Sequence, residues 1–407
     1  MDTKFILLLI SLIILFGYFA EWVFRKFSIP DTLILLSIGF ILGPSVLNLL
    51  NIGSLQYIAP IFTTFTLLFL MFDGALYIDL KSFANGLGSG IMIGLWNFTL
   101  SAAIITAILY YLNYDLLTAV FIGFTLGGIT SAYVIPILKQ LNINKKIFTI
   151  MTIESSITDV LSIVFALTVM QLKLAHKIQA GTIFSNIASL FAIASLTGVI
   201  SGVVWFSIEG TIIKEDENYI MMIAYVVLTY IITEYLGGNG AIATLFLGLI
   251  LANSKTVKSF GRLIKKSRKK EENQKPIVSK REKLFYKEIS FFLKTFFFVY
   301  IGLLLNLKNM EAVIIGSVIS VSLMLIRPIS SILTKKYEFF DRKLINSLFA
   351  RGIAPAVIVL IASSNGIIKD KTIIDVVYFV ITMSIILSSI KVFLYKYKLK
   401  NALKNKK

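Results

Sequence analysis

The chain has 407 residues, 57% of them hydrophobic and 15% charged, with a mean hydropathy of +0.84 and a formal net charge of +18. Soluble proteins carry about 25% charged residues, so this composition sets aside soluble enzymes and nucleic-acid-binding modules and predicts a polytopic all-α membrane protein. The absence of cysteine excludes disulfides, thiolate metal sites and haem attachment through Cys.

Thirteen apolar segments are predicted as transmembrane helices, most of them near the ~20 residues a crossing needs. The first, 4–24, is followed by Phe24-Arg25-Lys26-Phe27 instead of a small-residue cleavage site, so it reads as a retained helix. Segments 31–50, 57–78 and 87–112 come next, the third carrying Asp73 near its end. The fifth, 115–138, holds Gly127-Gly128-Ile129-Thr130-Ser131-Ala132, with Pro136 after it. The sixth, 148–171, carries Glu154 and Asp159. Segments 183–208, 219–236 and 239–254 complete the first part of a membrane domain, 1–254. His176, the one histidine, lies in a polar connection and reads as plain surface.

A basic loop, 255–288, separates that part from a second, 289–395, with segments 289–306, 311–333, 344–364 and 373–395, and a basic tail at 396–407. The twelfth segment contains Arg351-Gly352-Ile353-Ala354-Pro355. Of the 40 Lys and Arg, 31 fall in connections on one side of the membrane, 6 on the other and 3 within segments. Cytoplasmic loops collect Lys and Arg, so the 31-side is cytoplasmic, the N-terminus outside and the C-terminus inside. That arrangement requires an odd number of spans. The loop stretch Lys265-Lys266-Ser267-Arg268-Lys269-Lys270 reads first as a solvated linker between the two parts, and it also suits anionic lipid headgroups at about 1 kcal/mol per basic residue. It lacks the aromatic residues and recognisable fold of a nucleic-acid binder.

Glycine costs about 1 kcal/mol in a helix interior and proline about 3. Backbone released at mid-membrane must be reburied in protein or line a wet cavity. If segments 1–6 and 8–13 are two repeats, the interrupted fifth and twelfth are equivalent. The repeats enter from opposite sides and are therefore inverted. Discontinuous helices at matching positions point to a transporter's central site.

A charge at mid-bilayer costs on the order of 3 kcal/mol or more and marks an ion or proton path. Residues advance 100° along a helix, so Ser155 and Asp159 share a face. Glu154 lies about 140° round the axis from Asp159 and aims at another helix. Desolvation of a buried aspartate favours its protonated form, and an adjacent cation favours the ionised one. Proton and cation therefore compete for Asp159, which suffices for coupled exchange if only a neutralised site crosses the barrier. Thr130, Ser131 and Ser155 are candidate oxygen ligands for Na⁺ at Asp159, and Thr158 stands beside it. Asp73 is a candidate cation-gathering acid. The buried cation Arg351 needs a carboxylate partner, and Glu154 is expected to supply it as a structural ion pair. Arg327, just before Pro328, and Lys294 are expected to reach the interface; Arg327 is kept as a secondary site residue.

These stretches resemble the monovalent cation:proton antiporter superfamily, in particular the bacterial and archaeal sodium/proton antiporters. The resemblance runs through Ile29-Pro30 with Gly39-Phe40-Ile41-Leu42-Gly43-Pro44, Phe72-Asp73-Gly74, Gly128-Ile129-Thr130-Ser131-Ala132 with Pro136, and Glu154-Ser155 to Thr158-Asp159. It continues through Phe297-Phe298-Val299-Tyr300-Ile301-Gly302-Leu303, Arg327-Pro328 and Arg351-Gly352, in the family's order. It implies a thirteen-helix fold with inverted repeats, an outside N-terminus, a homodimer in the cell membrane, and no enzymatic activity or cofactor. It also implies exchange of Na⁺ or Li⁺ for H⁺ at Asp159, with K⁺/H⁺ exchange as the alternative; a cation channel or an intramembrane enzyme is a distant alternative, since no filter sequence and no Gly-x-Gly-Asp pattern occurs. Two departures stand out. Thr158-Asp159 replaces the paired Asn-Asp or Asp-Asp, so one carboxylate carries one exchangeable charge and the exchange is expected to be electroneutral. Thr130-Ser131-Ala132 replaces Thr-Asp-Pro, so the broken helix ends must be balanced without that aspartate.

Overall fold

The computed structural model describes residues 3–27, 30–49, 59–76, 80–141, 143–175, 180–211, 219–254, 278–335 and 337–404. Its helices are α1 (Thr3–Phe27), α2 (Asp31–Leu42), α3 (Ala59–Ala75), α4 (Leu80–Tyr111), α5 (Leu116–Thr125), α6 (Ser131–Gln140), α7 (Lys145–Ala175) and α8 (Ala180–Thr211). They continue with α9 (Tyr219–Tyr235), α10 (Gly240–Ala252), α11 (Lys280–Leu304), α12 (Met310–Ile326), a 3-10 turn (Arg327–Ile332), α13 (Phe339–Ser347), α14 (Ile353–Ser364) and α15 (Lys371–Lys404). No strand occurs among the described residues. Each predicted apolar segment is helical over most of its described length. Among the described residues, five stretches are long and apolar enough to cross a membrane on their own: Gly88–Tyr111, Lys146–Met170, Ala188–Phe206, Met310–Ser330 and Lys371–Lys398.

The predicted fifth and twelfth segments are each two helices. α5 and α6 are parted by residues 126–130, and α13 and α14 by 348–352. The second break lies N-terminal to most of the stretch read as irregular. Pro355 sits in the first turn of α14, where its missing N–H has no partner to lose. Pro136 lies inside α6.

Polar residues start several helices. The Asp115 carboxylate accepts from Thr118 N–H at α5 (3.2 Å), Asn239 from Ile242 N–H at α10 (3.0 Å), and Asn309 from Ala312 N–H at α12 (3.3 Å). α11 begins with a reciprocal pair: Glu282 N–H donates to Ser279 Oγ (3.1 Å) and Ser279 N–H to the Glu282 carboxylate (2.5 Å). The helix therefore starts at Lys280, inside the stretch read as loop; residues 255–277 of that stretch, and His176, lie outside the described residues.

The chain forms two compact units. The first comprises Met1–Thr63, Gly86–Lys177 and Lys294–Lys407. Here α7 packs on α5, α6 and α14, and α15 on α12, α13 and α14. α2 crosses the C-terminal part of α11 backbone to backbone: a Cβ on Gly39 would stand 2.0 Å from Val299 O, and one on Gly302 2.2 Å from Leu36 O. The second unit comprises Thr64–Asn85 and Ile178–Leu293. Its centre is α10, between α8 and α9. α8 turns Phe191, Leu196, Ile200, Val203 and Val204 outward, an apolar face suited to lipid.

Candidate functional site

The two breaks meet. Thr130 N–H, leaving the first, donates to Ala350 O in the second at 3.0 Å. Glycine permits this approach: a Cβ on Gly352 would lie 2.3 Å from Thr130 Oγ1, and one on Gly128 2.5 Å from Thr158 O. Side chains take up the released backbone donors. Gly128 N–H donates to Ser162 Oγ (3.0 Å) and Ile129 N–H to Thr158 Oγ1 (3.1 Å), both on α7. Arg351 N–H donates to Ser384 Oγ (3.0 Å) on α15. Buried backbone polar groups need such partners, which is how the chain stays unwound inside an apolar body.

Asp159, 6% exposed, sits at the N-terminus of α6. Its Oδ2 accepts from Ser131 Oγ (2.8 Å) and from Ser131 N–H (3.2 Å). A helix N-terminus carries partial positive charge and holds anions well. At the C-terminal end of α5, the Arg351 guanidinium donates to Gly127 O (3.0 Å), to Gly128 O, and to Ser101 Oγ (3.0 Å). The two ends of the first broken helix are thus balanced by opposite charges, Asp159 at one and Arg351 at the other. Among the described residues Asp159 forms no salt bridge. Its carboxylate keeps acceptor capacity beyond the two Ser131 bonds, which is what a desolvated cation or a proton requires.

The expected pairing of Glu154 with Arg351 is corrected. Glu154 pairs with Arg327: Nη1 contacts Oε1, and Nη2 donates to Oε2 at 3.0 Å. Arg327 Nε donates to Ile345 O (3.0 Å), and Asn97 Nδ2 donates to Glu154 Oε1 (2.9 Å). The reason is positional. Arg327 opens the 3-10 turn after α12 and stays inside, 3% exposed, instead of reaching the interface. Arg351 lies at the second break and is spent on the first. Lys294 is likewise internal, bound to Asp31 at 2.5 Å. Asn97, Ser101, Asp31 and Ser162 were missed. Asn97 and Ser101 are polar residues four apart in an apolar segment, a signal open to reading as one face of α4.

The other candidates divide. Thr130, Ser131, Thr158 and Asp159 come together. Thr158 Oγ1 also donates to Ser155 O (3.2 Å), so it serves the first break and its own helix. Ser155, fully buried, donates to Thr152 O (3.1 Å). Asp73 belongs to the second unit, near the end of α3, in the electrostatic neighbourhood of Lys283, whose ammonium donates to Leu76 O (2.8 Å). A cavity of about 680 Å³ in the first unit, lined by Ser45, Tyr300, Ser363, Asp375 and Tyr378 among others, does not include Asp159.

Interrupted helices meeting beside a buried carboxylate, in an all-helical apolar chain, define a secondary ion transporter. Residues 10–395 match the family described as sodium/hydrogen exchanger, transmembrane, and the chain belongs to that family. It is similar to the Na(+)/H(+) antiporter ApNhaP of Aphanothece halophytica, 26% identical over 388 residues, covering 89% of this chain and 68% of the relative. It is also similar to the K(+)/H(+) antiporter NhaP2 of Shewanella oneidensis, 22% identical over 238 residues, covering 57% of this chain and 41% of that relative's length. The fold is that of the sodium proton antiporter MjNhaP1 from Methanocaldococcus jannaschii, with a TM-score of 0.76 at 19% identity, covering 96% of both chains. The all-helical reading is in keeping with that fold.

Proposed function

We propose that this protein exchanges Na⁺ or Li⁺ for H⁺ across the cell membrane by competition of cation and proton for Asp159. The observation that carries this is the state of Asp159: a carboxylate at a broken-helix N-terminus, bonded to Ser131 yet free of a salt bridge among the described residues. Glu154 and Arg327 neutralise each other and take no part in the exchange. Ser131 Oγ and Thr130 are the nearest candidates to join Asp159 around the ion, with Na⁺ at Asp159. Asp73 serves to gather cations. With one exchangeable carboxylate, the stoichiometry is one for one and the cycle electroneutral. The sodium relative aligns over more of the chain than the potassium one, which favours Na⁺ over the K⁺/H⁺ alternative.

The charge asymmetry supports thirteen crossings with the N-terminus outside and the C-terminus in the cytoplasm. A homodimer is the expected assembly, with the basic loop near anionic lipid. The test is dissipation of a pH gradient in proteoliposomes on separate addition of Na⁺, Li⁺ and K⁺. A response to Na⁺ and Li⁺ that vanishes in Asp159→Asn supports the proposal. A response to K⁺ alone assigns the potassium alternative. No cation response at any pH from folded protein overturns both.

A further inference from the structure

The two halves hold their unwound segments by the same device. On α7, Thr158 and Ser162, four residues apart, accept from Ile129 and Gly128 N–H in the first break. On α15, Ser384 and Ser388, also four apart, stand over the second break. Ser384 Oγ accepts from Arg351 N–H (3.0 Å), and Ser388 Oγ accepts from Phe349 N–H (3.5 Å) while donating to Ser347 O (2.6 Å). The offset from Thr158 to Ser384 equals that from Ser162 to Ser388. In each half the two hydroxyls lie on the helix that follows the broken one. Both serines are fully buried. The same offset places Ile385, fully buried, at the position of Asp159. One half therefore keeps the hydroxyl pair with an acid between, and the other keeps the pair with an apolar residue between.

From Ser384 a continuous series of contacts reaches the ion site. Ser384 holds the Arg351 backbone, and the preceding carbonyl, Ala350 O, accepts from Thr130 N–H (3.0 Å). The next residue, Ser131, donates both its N–H and its hydroxyl to Asp159. In parallel, the Arg351 side chain holds the Gly127 and Gly128 carbonyls. We infer that Ser384 and Ser388 are positioning residues for the exchange site: they touch no ion, and by fixing the second break they set how Ser131 and Arg351 present themselves to Asp159. This rests on the antiporter reading for its functional consequence, while the mechanical link stands on the geometry alone.

The test compares Ser384→Thr with Ser384→Val, near-isosteric side chains with and without the hydroxyl, and Ser388 likewise. In full-length protein in proteoliposomes, the Val variants are expected to raise the half-saturating Na⁺ concentration about three- to tenfold, the worth of one hydrogen bond. Their pH profiles are expected to shift to the alkaline side, because a carboxylate with weaker donors and a less well-placed cation yields to protons up to higher pH. Thr restores both. A Val variant that lowers only the maximal rate, with half-saturation and pH profile like those of Thr, overturns the proposal. Amide hydrogen exchange provides a readout that needs no transport. Ser384→Val is expected to speed exchange at Thr130 and Ser131, in the other half, relative to Ser384→Thr. Exchange unchanged there overturns the link even if the wild type transports normally. A wild type with no cation-coupled flux but with that amide effect refutes the antiporter reading and leaves the link standing.

Discussion

Glu154 and Arg327, 173 residues apart in the chain, meet as a two-point ion pair at 0% and 3% exposure. Removing one partner of a buried pair leaves an uncompensated charge and costs about 3–5 kcal/mol, whereas replacing both by apolar residues is often neutral. Glu154→Leu and Arg327→Met alone are expected to lower the thermal stability of purified protein strongly, and the double variant to recover most of the loss. Arg327→Lys is expected to recover little, since a point charge cannot reproduce the two-point contact. Arg351→Met is expected to leave the Glu154 pair intact and to impair exchange instead.

Ser131 stands where the family resemblance leads one to expect an aspartate. Ser131→Ala removes the 2.8 Å hydroxyl bond to Asp159 and is expected to weaken cation binding by about tenfold or less. Ser131→Asp sets a second carboxylate against the first. Like charges favour protonation of one of the two, so its activity profile is expected to move to higher pH. Flux titrations at a series of pH values measure both, and an unmoved profile in Ser131→Asp counts against direct proximity of residue 131 to the exchanging acid.

Competition for a single carboxylate makes a kinetic prediction. On the acidic side of the profile the half-saturating Na⁺ concentration is expected to rise about tenfold per pH unit, because each bound proton excludes one cation. Transport current on a voltage step is expected to be absent. A slope near two, or a current, would show a second exchangeable charge.

Glycines at close approaches divide from those in open space. Gly39→Ala pushes a Cβ to 2.0 Å from Val299 O, and Gly352→Ala one to 2.3 Å from Thr130 Oγ1. Overpacking costs about 1–3 kcal/mol, and more is expected at Gly39 because backbone stands in the way. Gly74 has no described residue within 4 Å of an added Cβ, so Gly74→Ala is expected to keep wild-type stability. Melting curves of the three variants check the order.

Tyr378 is 2% exposed, and among the described residues its hydroxyl has no hydrogen-bond partner. An unsatisfied buried hydroxyl carries a desolvation cost of about 1–3 kcal/mol. Tyr378→Phe is therefore expected to melt no lower than the wild type. A clear loss of stability would show that the hydroxyl has a partner in the cavity it lines.

Helical class, the position of nearly every helix, the two interruptions and the candidate acid Asp159 were all legible in the sequence. These rest on local chemistry: runs of apolar side chains, glycine and proline where a helix cannot continue, and a charge whose burial needs a reason. Helix starts are legible too: the Ser279–Glu282 pair marks the start of α11 ahead of the apolar run that predicts the segment. The partners of the buried charges were not legible. Glu154 had two arginines to choose from, and the sequence carries no term for which of them reaches it. That choice follows from where Arg327 leaves α12, and from Arg351 being drawn to the free carbonyls of a break far away in the chain. For the same reason the missing aspartate at Ser131 looked like a deficit, whereas in three dimensions Asp159 and Arg351 serve the two helix ends between them. Composition and periodicity determine which groups must be buried. Only the packing of distant segments decides which buried group satisfies which, because that energy is long-range in sequence and short-range in space.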